Sequence, residues 1–259
     1  MYFDTDALVI KSNKSLNNDI FLTLFSRKSG KMEVVANGAK SSKSQLAASS
    51  KPFVYGTFTI NTSNKIPKVI SCEIIDSHFR VTNDLEVLAY GNYFIELCNL
   101  TTVPNVGDFP HYQLIVELIS ILSNSGREEA PLTTDILELL RAAYLIKLSK
   151  ITGHQANLST KCTSCGCELN ENLYFSPYAG GVICGICEKS KYRGYKINQT
   201  YIHLINYLQL KDPRVIIKTK IHPNYIQRLC SFYEELITYH NQIKDIKSKN
   251  FLEDIKKHQ

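Results

Sequence analysis

The amino-acid sequence predicts an α+β protein, with a small N-terminal β-barrel followed by an α-helical region that a four-cysteine motif interrupts. Over the first 80 residues, short runs of β-branched and aromatic residues alternate with turn residues. After residue 80 the apolar residues recur at helical spacing instead. Two Cys-x-x-Cys pairs lie inside this helical part. These three observations define the fold class.

The first 80 residues are predicted to form five strands. The second apolar run places Phe21, Thr23 and Phe25 in alternation with Leu22 and Leu24, so both of its faces are apolar, as in a closed barrel. Five strands at this spacing favour a small Greek-key barrel such as the OB-fold, and a sandwich-like arrangement is the alternative. The predicted strands cover residues 7–11, 19–26, 31–37, 53–62 and 68–75.

Helices are predicted after residue 80. A capping box of Asn83 and Glu86 is expected to open the first helix. The lysine-rich tail from Lys244 onward is expected to fray. The predicted helices cover residues 84–100, a segment opened by Asp108 and Pro110, residues 136–153, residues 200–210 and a long segment that begins at Pro223.

The cysteine motif has the spacing of a zinc site. Cys162-x2-Cys165 is followed by eighteen residues and then by Cys184-x2-Cys187. Each Cys-x-x-Cys turn presents two thiolates to one point, and a tetrahedral zinc ion binds four of them at ~2.3 Å. A redox pair or a disulfide is the alternative, and the reducing cytoplasm expected for this protein disfavours it. We therefore expect one structural Zn²⁺ per chain, because four cysteine ligands leave no open coordination position.

The remaining cysteines are expected to have other roles. Cys167 lies two residues beyond Cys165 and is predicted to be a non-ligand side chain of the finger. Cys72, Cys98 and Cys230 lie in apolar runs and are expected in the core. The predicted domains are a nucleic-acid-binding barrel (1–80), the first part of a helical domain (81–158), a four-cysteine zinc finger (159–192) and the C-terminal part of the helical domain (193–259).

The positive charge is concentrated in the predicted barrel. The chain has a formal net charge of +6, and residues 1–80 hold eleven Lys/Arg against six Asp/Glu. This excess predicts a polyanionic partner for the barrel. The N-terminus lacks the apolar run of a signal peptide, and no stretch approaches the ~20 apolar residues of a membrane span. We expect a cytoplasmic, nucleoid-associated protein without a membrane partner.

The segment from Arg27 to Phe53 is the candidate nucleic-acid-binding loop. Its many small residues predict a flexible loop that follows a phosphate backbone, with salt-dependent binding and no sequence preference. A solvated loop without function is the alternative. The predicted aromatic residues of the barrel offer stacking surfaces for bases, although most are expected in the core. The candidate nucleic-acid-binding residues are Arg27, Lys28, Lys31, Lys40, Lys43 and Lys51.

Catalysis is not predicted. The sequence contains no phosphate-binding G-x-x-x-x-G-K-[ST] motif, no G-x-G-x-x-G, no G-x-S-x-G and no H-E-x-x-H. A four-cysteine metal site would be structural rather than catalytic. We expect a protein that is not an enzyme.

Several segments, in their order along the chain, resemble the RecO family of bacterial DNA repair and recombination mediators. They are LTLFSRKSGKMEVVANGAKSSKSQLAASSKPF, LLRAAYLIKLSKITGHQANLSTKCTSCG, YFSPYAGGVICGIC and IKSKNFL. The resemblance implies an N-terminal OB-fold, a helical domain and an inserted zinc finger. It also implies binding of single- and double-stranded DNA, annealing of complementary strands and help in loading recombinase onto coated DNA. The implied partners are RecR and the acidic tail of single-strand-binding protein.

The sequence thus favours a non-enzymatic DNA-binding mediator of recombinational repair. An RNA-binding or ribosome-associated protein with an OB-fold and a zinc finger is the alternative, because the basic segment and the finger suit RNA equally well. A protein-interaction scaffold is a third hypothesis, in which the N-terminal charge is incidental. A measurement of whether the protein accelerates the pairing of complementary single DNA strands distinguishes these three hypotheses.

Overall fold

The computed structural model describes residues 1–15, 17–63, 65–124 and 132–257. The chain divides into two compact units. The first unit comprises Met1–Leu132 together with Ile246–Gln259, and the second comprises Thr133–Asp245. The boundaries of these units differ from those of the barrel, the two-part helical domain and the inserted finger that the sequence suggested, and that division stays a prediction.

Five strands of the first unit form a closed barrel in the order β1-β2-β3-β5-β4. All neighbours are antiparallel except β3 and β5, which are parallel and meet at Val35 and Lys68. This five-stranded Greek-key closure is that of an OB-like barrel, so the predicted fold class is confirmed. The strands are β1 (Tyr2–Lys14), β2 (Ile20–Ser26), β3 (Gly30–Ala36), β4 (Tyr55–Asn61) and β5 (Lys68–Asp76).

The alternation in β2 explains how the barrel is packed. Leu22 and Leu24 point into the barrel core, which they share with Phe58 of β4. Phe25 points outward and is nevertheless fully buried, because the rings of His111 and Tyr112 contact it at centroid distances of 5.4 and 6.2 Å. Both faces of β2 are therefore apolar for different reasons, one inside the barrel and one beneath a helix.

Helices follow in both units. They are α1 (Leu85–Thr101), α2 (Phe109–Asn124), α3 (Thr134–Ile151), α4 (Gly185–Ser190), α5 (Gln199–Leu210), α6 (Pro213–Ile216), α7 (Pro223–His240) and α8 (Lys247–Lys257). A second sheet has the order β7-β6-β8, with β6 (Leu173–Ser176), β7 (Gly181–Cys184) and β8 (Tyr195–Ile197). The helical positions agree with the sequence pattern from α1 to α3, for α5 and for α7.

The predicted capping box of α1 is wrong by one residue. Asp84, not Asn83, is the N-cap, and its Oδ1 accepts hydrogen bonds from the backbone N–H groups of Glu86 (2.8 Å) and Val87 (3.0 Å). An ionised carboxylate at this position satisfies two amides that have no partner inside the helix and interacts favourably with the helix dipole.

The predicted fraying of the C-terminal tail is also wrong. Residues from Lys247 form α8, which packs on α1 with Leu252 fully buried and Ile246 nearly so. The Glu96 carboxylate on α1 accepts hydrogen bonds from the backbone N–H groups of Lys247 (3.1 Å) and Ser248 (2.7 Å). A side chain distant in sequence therefore supplies the N-terminal cap of α8.

The second unit is built around α3 and α7, which make the most extensive helix contact in it. The buried Arg141 of α3 donates to Glu138 and to the buried Glu234 of α7. Phe175 of β6 stacks on Phe232 of α7 at a centroid distance of 5.4 Å. The small sheet, whose strands β6 and β7 precede the cysteine-bearing α4 and whose strand β8 follows it, is thus anchored to the helical core of its own unit.

Candidate metal centre and nucleic-acid interface

The structure brings the four predicted cysteine ligands together. Cys162 and Cys165 lie in a turn, Cys184 ends β7 and Cys187 lies in α4. Their sulfur atoms all lie within 4.8 Å of one another. The turn closes through hydrogen bonds from the Gly166 N–H to the Cys162 carbonyl oxygen (2.9 Å) and from the Cys162 N–H to the Cys167 carbonyl oxygen (2.8 Å).

This arrangement fits a tetrahedral metal ion. Four sulfurs at ~2.3 Å from one ion are roughly 3.8 Å from each other, and the Cys165 and Cys184 sulfurs are 3.9 Å apart. Burial raises the pKa of the Cys162 thiol, but backbone N–H groups that include those of Cys165 and Cys184 outweigh it and lower this pKa to about 6. Amide donors of this kind stabilise the thiolate form that a metal requires.

Cys167 lies beside this group without completing it. Its sulfur is 3.4 Å from that of Cys165, and its side chain is exposed. The sulfurs of Cys162, Cys165, Cys184 and Cys187 already supply four ligands, which is the number a structural zinc site uses. The division between four ligands and one additional cysteine stays a prediction.

The six predicted nucleic-acid-binding residues separate into groups at the two ends of β2. Arg27 and Lys28 are exposed in the turn between β2 and β3, where the Arg27 guanidinium lies 5.4 Å from the centroid of the Phe109 ring. Lys40, Lys43 and Lys51 are exposed in the segment between β3 and β4, at the other end of the strand. Seven residues of strand separate the two ends by roughly 20 Å.

Lys31 has a different environment from the other five residues. It is half-buried at the start of β3, and its ammonium group donates to the Asn99 carbonyl oxygen at 2.6 Å. Burial lowers the pKa of Lys31. Because this ammonium stabilises the C-terminal end of α1, it is the predicted residue least accessible to a phosphate. Its contact with nucleic acid, like those of the other five, stays a prediction.

Gly30 explains why the chain turns sharply between Arg27 and Lys31. Its φ of +65° lies in the left-handed region, and a Cβ there would meet the Val106 carbonyl oxygen at 1.9 Å. The residues that follow Gly30 pair with the connection between α1 and α2 through a hydrogen bond from the Asn105 N–H to the Lys31 carbonyl oxygen (2.7 Å). The turn therefore brings the backbone of Lys31 against the connection between α1 and α2.

The segment from residue 37 to residue 54 is packed, in contrast to the flexible loop that its composition predicted. Successive turns connect it, for example from the Ser44 N–H to the Ser41 carbonyl oxygen (2.9 Å) and from the Ser50 N–H to the Leu46 carbonyl oxygen (3.1 Å). Ala39 is buried in the barrel core and Leu46 packs against it. The segment closes one end of the barrel and holds its lysines in place.

A cleft of about 540 Å³ opens between this segment and the adjoining ends of β1 and β2, and we call it the mouth cleft. Three lysine side chains surround it, and small residues form much of its wall. The Lys40 ammonium also donates to the Ser15 carbonyl oxygen. The cleft is lined by Ser12, Lys14, Ile20, Ala39, Lys40, Ala47, Ser50, Lys51 and Pro52.

Lys14 and Ser50 are among the lining residues of the mouth cleft that sequence reasoning missed. Lys14 ends β1, and Ser50 belongs to the packed segment. The Ser50 side chain is 2% exposed, and its hydroxyl has no hydrogen-bond partner among the described residues. A lysine at the end of the first strand is the signal that was available for Lys14, whereas the sequence contains no signal for the environment of Ser50.

The structure also separates the core aromatic residues from an exposed one. Phe25, Phe53 and Phe58 are buried, whereas Phe21 of β2 is 42% exposed. Phe21 follows the cleft residue Ile20 and points to the outer face of the barrel, opposite Asn13 of β1. Its ring therefore lies on the outer wall beside the mouth cleft.

The second unit contains a separate cleft of about 630 Å³. The Arg228 guanidinium lies 5.2 Å from the centroid of the Tyr201 ring and donates to the Lys196 carbonyl oxygen at 2.8 Å. The cleft is lined by Asn198, Tyr201, His222, Asn224, Tyr225, Gln227 and Arg228.

Within the described ranges, no helix combines the length and the apolar character needed to cross a membrane.

The fold and the sites define a class of protein: an OB-fold barrel with a basic cleft, joined to a helical region that carries a four-cysteine metal-type site. Comparison with known families specifies it further. The Recombination protein O N-terminal model matches residues 1–78, and the Recombination protein O C-terminal model matches residues 82–250. The chain belongs to the RecO family.

Individual relatives agree with this assignment, and each of the following is named DNA repair protein RecO. The protein of Alkaliphilus metalliredigens is 30% identical over 93% of this chain and 94% of its own length. That of Clostridium novyi is 30% identical over 80% of this chain and 76% of its own length. That of Clostridium acetobutylicum is 26% identical over 98% of both chains. The similarity therefore extends over both units.

Proposed function

We propose that this protein binds single- and double-stranded DNA through its barrel and acts in recombinational DNA repair without catalysing a reaction. Its relatives are named for DNA repair. The observation that carries the proposal is the mouth cleft, where Lys14, Lys40 and Lys51 surround one opening of an OB-like barrel. Such barrels bind nucleic acid through the loops and strands at one face.

The charge and the surface of the barrel favour a single strand in particular. Lys43 is exposed on the same segment as Lys40 and Lys51, so four ammonium groups are available to one phosphate backbone. The exposed Phe21 ring offers a stacking face beside the cleft, and every base has a face that stacks on an aromatic ring. Stacking requires a base that is not paired within a duplex, so this ring favours single strands.

The proposed activities are annealing of complementary strands and help in loading recombinase onto DNA coated by single-strand-binding protein. Annealing requires that the charge of two polyanions be screened, and the barrel carries most of the excess positive charge of the chain. The proposed protein partners are RecR and the acidic tail of single-strand-binding protein. Arg228, His222 and the tyrosine rings of the cleft in the second unit are of a kind that suits an acidic peptide. We place the protein in the cytoplasm, at the nucleoid.

The metal proposed for the cysteine site is one structural zinc ion. Cys162, Cys165, Cys184 and Cys187 would hold it, and their four thiolates leave no position for a substrate. The ion would keep the two Cys-x-x-Cys turns together within the second unit. The proposed zinc ion stabilises the fold and takes no part in catalysis.

Strand pairing tests the proposed function. Complementary oligonucleotides, one with a fluorophore and one with a quencher, are mixed with and without this protein, both bare and coated with single-strand-binding protein. We expect faster quenching in both cases. A parallel reaction with RNA strands of the same sequence distinguishes the RNA-binding alternative. Pairing at the uncatalysed rate on bare and on coated DNA would contradict the proposal.

A further inference from the structure

The Ser50 hydroxyl is the buried polar group of the barrel whose environment most directly indicates a ligand. Its oxygen is inaccessible to solvent and has no hydrogen-bond partner among the described residues, although the side chain lines the mouth cleft. Buried hydroxyls are nearly always hydrogen-bonded, because leaving one without a partner is unfavourable. An unsatisfied hydroxyl at the wall of a cleft therefore suggests a partner that arrives with a ligand.

The chemistry around Ser50 specifies that partner as an anion. Lys51 follows it directly, and Lys14 and Lys40 line the same cleft, whereas no acidic side chain lines it. A serine hydroxyl is a donor that reorients by rotation about a single bond, and ammonium groups are donors only. These donors, together with the Ser12 hydroxyl and with no carboxylate among the lining residues, match the oxygens of a phosphate.

We propose that Ser50 donates a hydrogen bond to one phosphodiester of a bound single strand, while Lys14, Lys40 and Lys51 neutralise it. This inference rests on the proposed function and adds the group that holds the strand at a fixed point. The mouth cleft would then be a phosphate pocket, and the exposed Lys43 on the same segment would bind the adjoining backbone.

The neighbouring Ser49 provides a matched control. It is 1% exposed, its hydroxyl donates to the Leu46 carbonyl oxygen at 3.2 Å, and it does not line the cleft. Ser49→Ala should therefore lower the melting temperature and leave DNA binding unchanged. Ser50→Ala removes a hydroxyl without a protein partner, so it should preserve or raise the melting temperature and weaken DNA binding.

The test measures binding of a labelled oligothymidylate to the full chain by fluorescence anisotropy, together with thermal unfolding. For Ser50→Ala we expect an affinity about tenfold lower, the low end for loss of a hydrogen bond to a charged group. The salt dependence should be unchanged, because no charge is removed. Ser50→Cys, which keeps the shape but is a poor donor, should behave in the same way.

The possible outcomes distinguish this inference from the proposed function. If Ser50→Ala binds DNA like the wild type while alanine at the cleft lysines reduces the salt dependence, the function stands and the phosphate pocket is wrong. If Ser50→Ala loses only competition by inorganic phosphate, the cleft binds a free anion and the inference is also wrong. A loss of affinity that accompanies a lower melting temperature would make Ser50 a structural residue.

Discussion

Removal of two lysines from the mouth cleft gives the sharpest prediction for the proposed DNA interface. The double variant Lys40→Ala/Lys51→Ala removes two of the three ammonium groups that line the cleft. Each phosphate contact on single-stranded DNA contributes about 0.7 to the slope of log affinity against log salt. We therefore expect the slope to become shallower by about 1.4.

This slope difference is large enough to measure. Over a roughly fourfold range of salt, a slope difference of about 1.4 changes the affinity ratio between wild type and variant about sevenfold, with the greater loss at low salt. The fold should be preserved, because both lysines are exposed. Anisotropy titrations with labelled oligothymidylate at several salt concentrations give the slope, and thermal unfolding confirms the fold.

A control at matched net charge separates a local contact from a general effect of charge. Lys218→Ala/Lys220→Ala removes two exposed lysines from the second unit. We expect this control to bind with nearly the wild-type slope. Equal loss of slope in the two double variants, or a full slope in the cleft variant, would refute the placement of DNA at the mouth cleft.

Three further predictions concern the metal site and the C-terminal helix. The purified protein should contain one zinc ion per chain, since binding at such sites is worth on the order of 10 kcal/mol. Cys184→Ser should lose the ion, whereas Cys167→Ser should retain a full equivalent. Metal loss in Cys167→Ser would reassign the ligands. Chelation should accelerate hydrogen exchange across residues 157–192 and leave the barrel strands protected, since the cysteines and the barrel belong to different compact units; loss of protection in the barrel would contradict this. Leu252→Ala should lower the free energy of unfolding by about 2–5 kcal/mol, as for other buried leucines. Asn250→Ala, at an exposed residue of the same helix, should change it by less than about 1 kcal/mol. Equal effects in urea titrations would mean that α8 is not packed as described.

The strands, and the approach of the two sulfurs within each Cys-x-x-Cys turn, were predictable from sequence because they depend on residues close together in the chain. Two-residue periodicity puts Leu22 and Leu24 on one face of β2, and the structure places that face inside the barrel. The Cys-x-x-Cys spacing brings each pair of sulfurs together within one turn, and only the meeting of the two pairs depends on the fold. The structure confirms both features.

The features that sequence analysis missed depend on residues distant in the chain. The fraying predicted for the tail took account of its lysines but not of Glu96, which caps α8 from another helix. In the sequence, the basic residues between Arg27 and Phe53 looked like one continuous group, because β3 lies inside that segment. The seven residues of β3 separate Arg27 and Lys28 at one end of the strand from Lys40, Lys43 and Lys51 beyond its other end. Neither effect has a signature in a local window of sequence.

The contact between α1 and α8 has a consequence for synthesis of the protein. The first compact unit begins at Met1 but is completed by residues after Ile246, so the whole second unit must emerge from the ribosome in between. At typical translation rates, this delay is on the order of ten seconds. During that time the surface of α1 that Leu252 later covers stays open to solvent, and Glu96 has no amides to bind. The nascent chain therefore passes through a stage in which an apolar face of α1 is exposed and accessible to a chaperone.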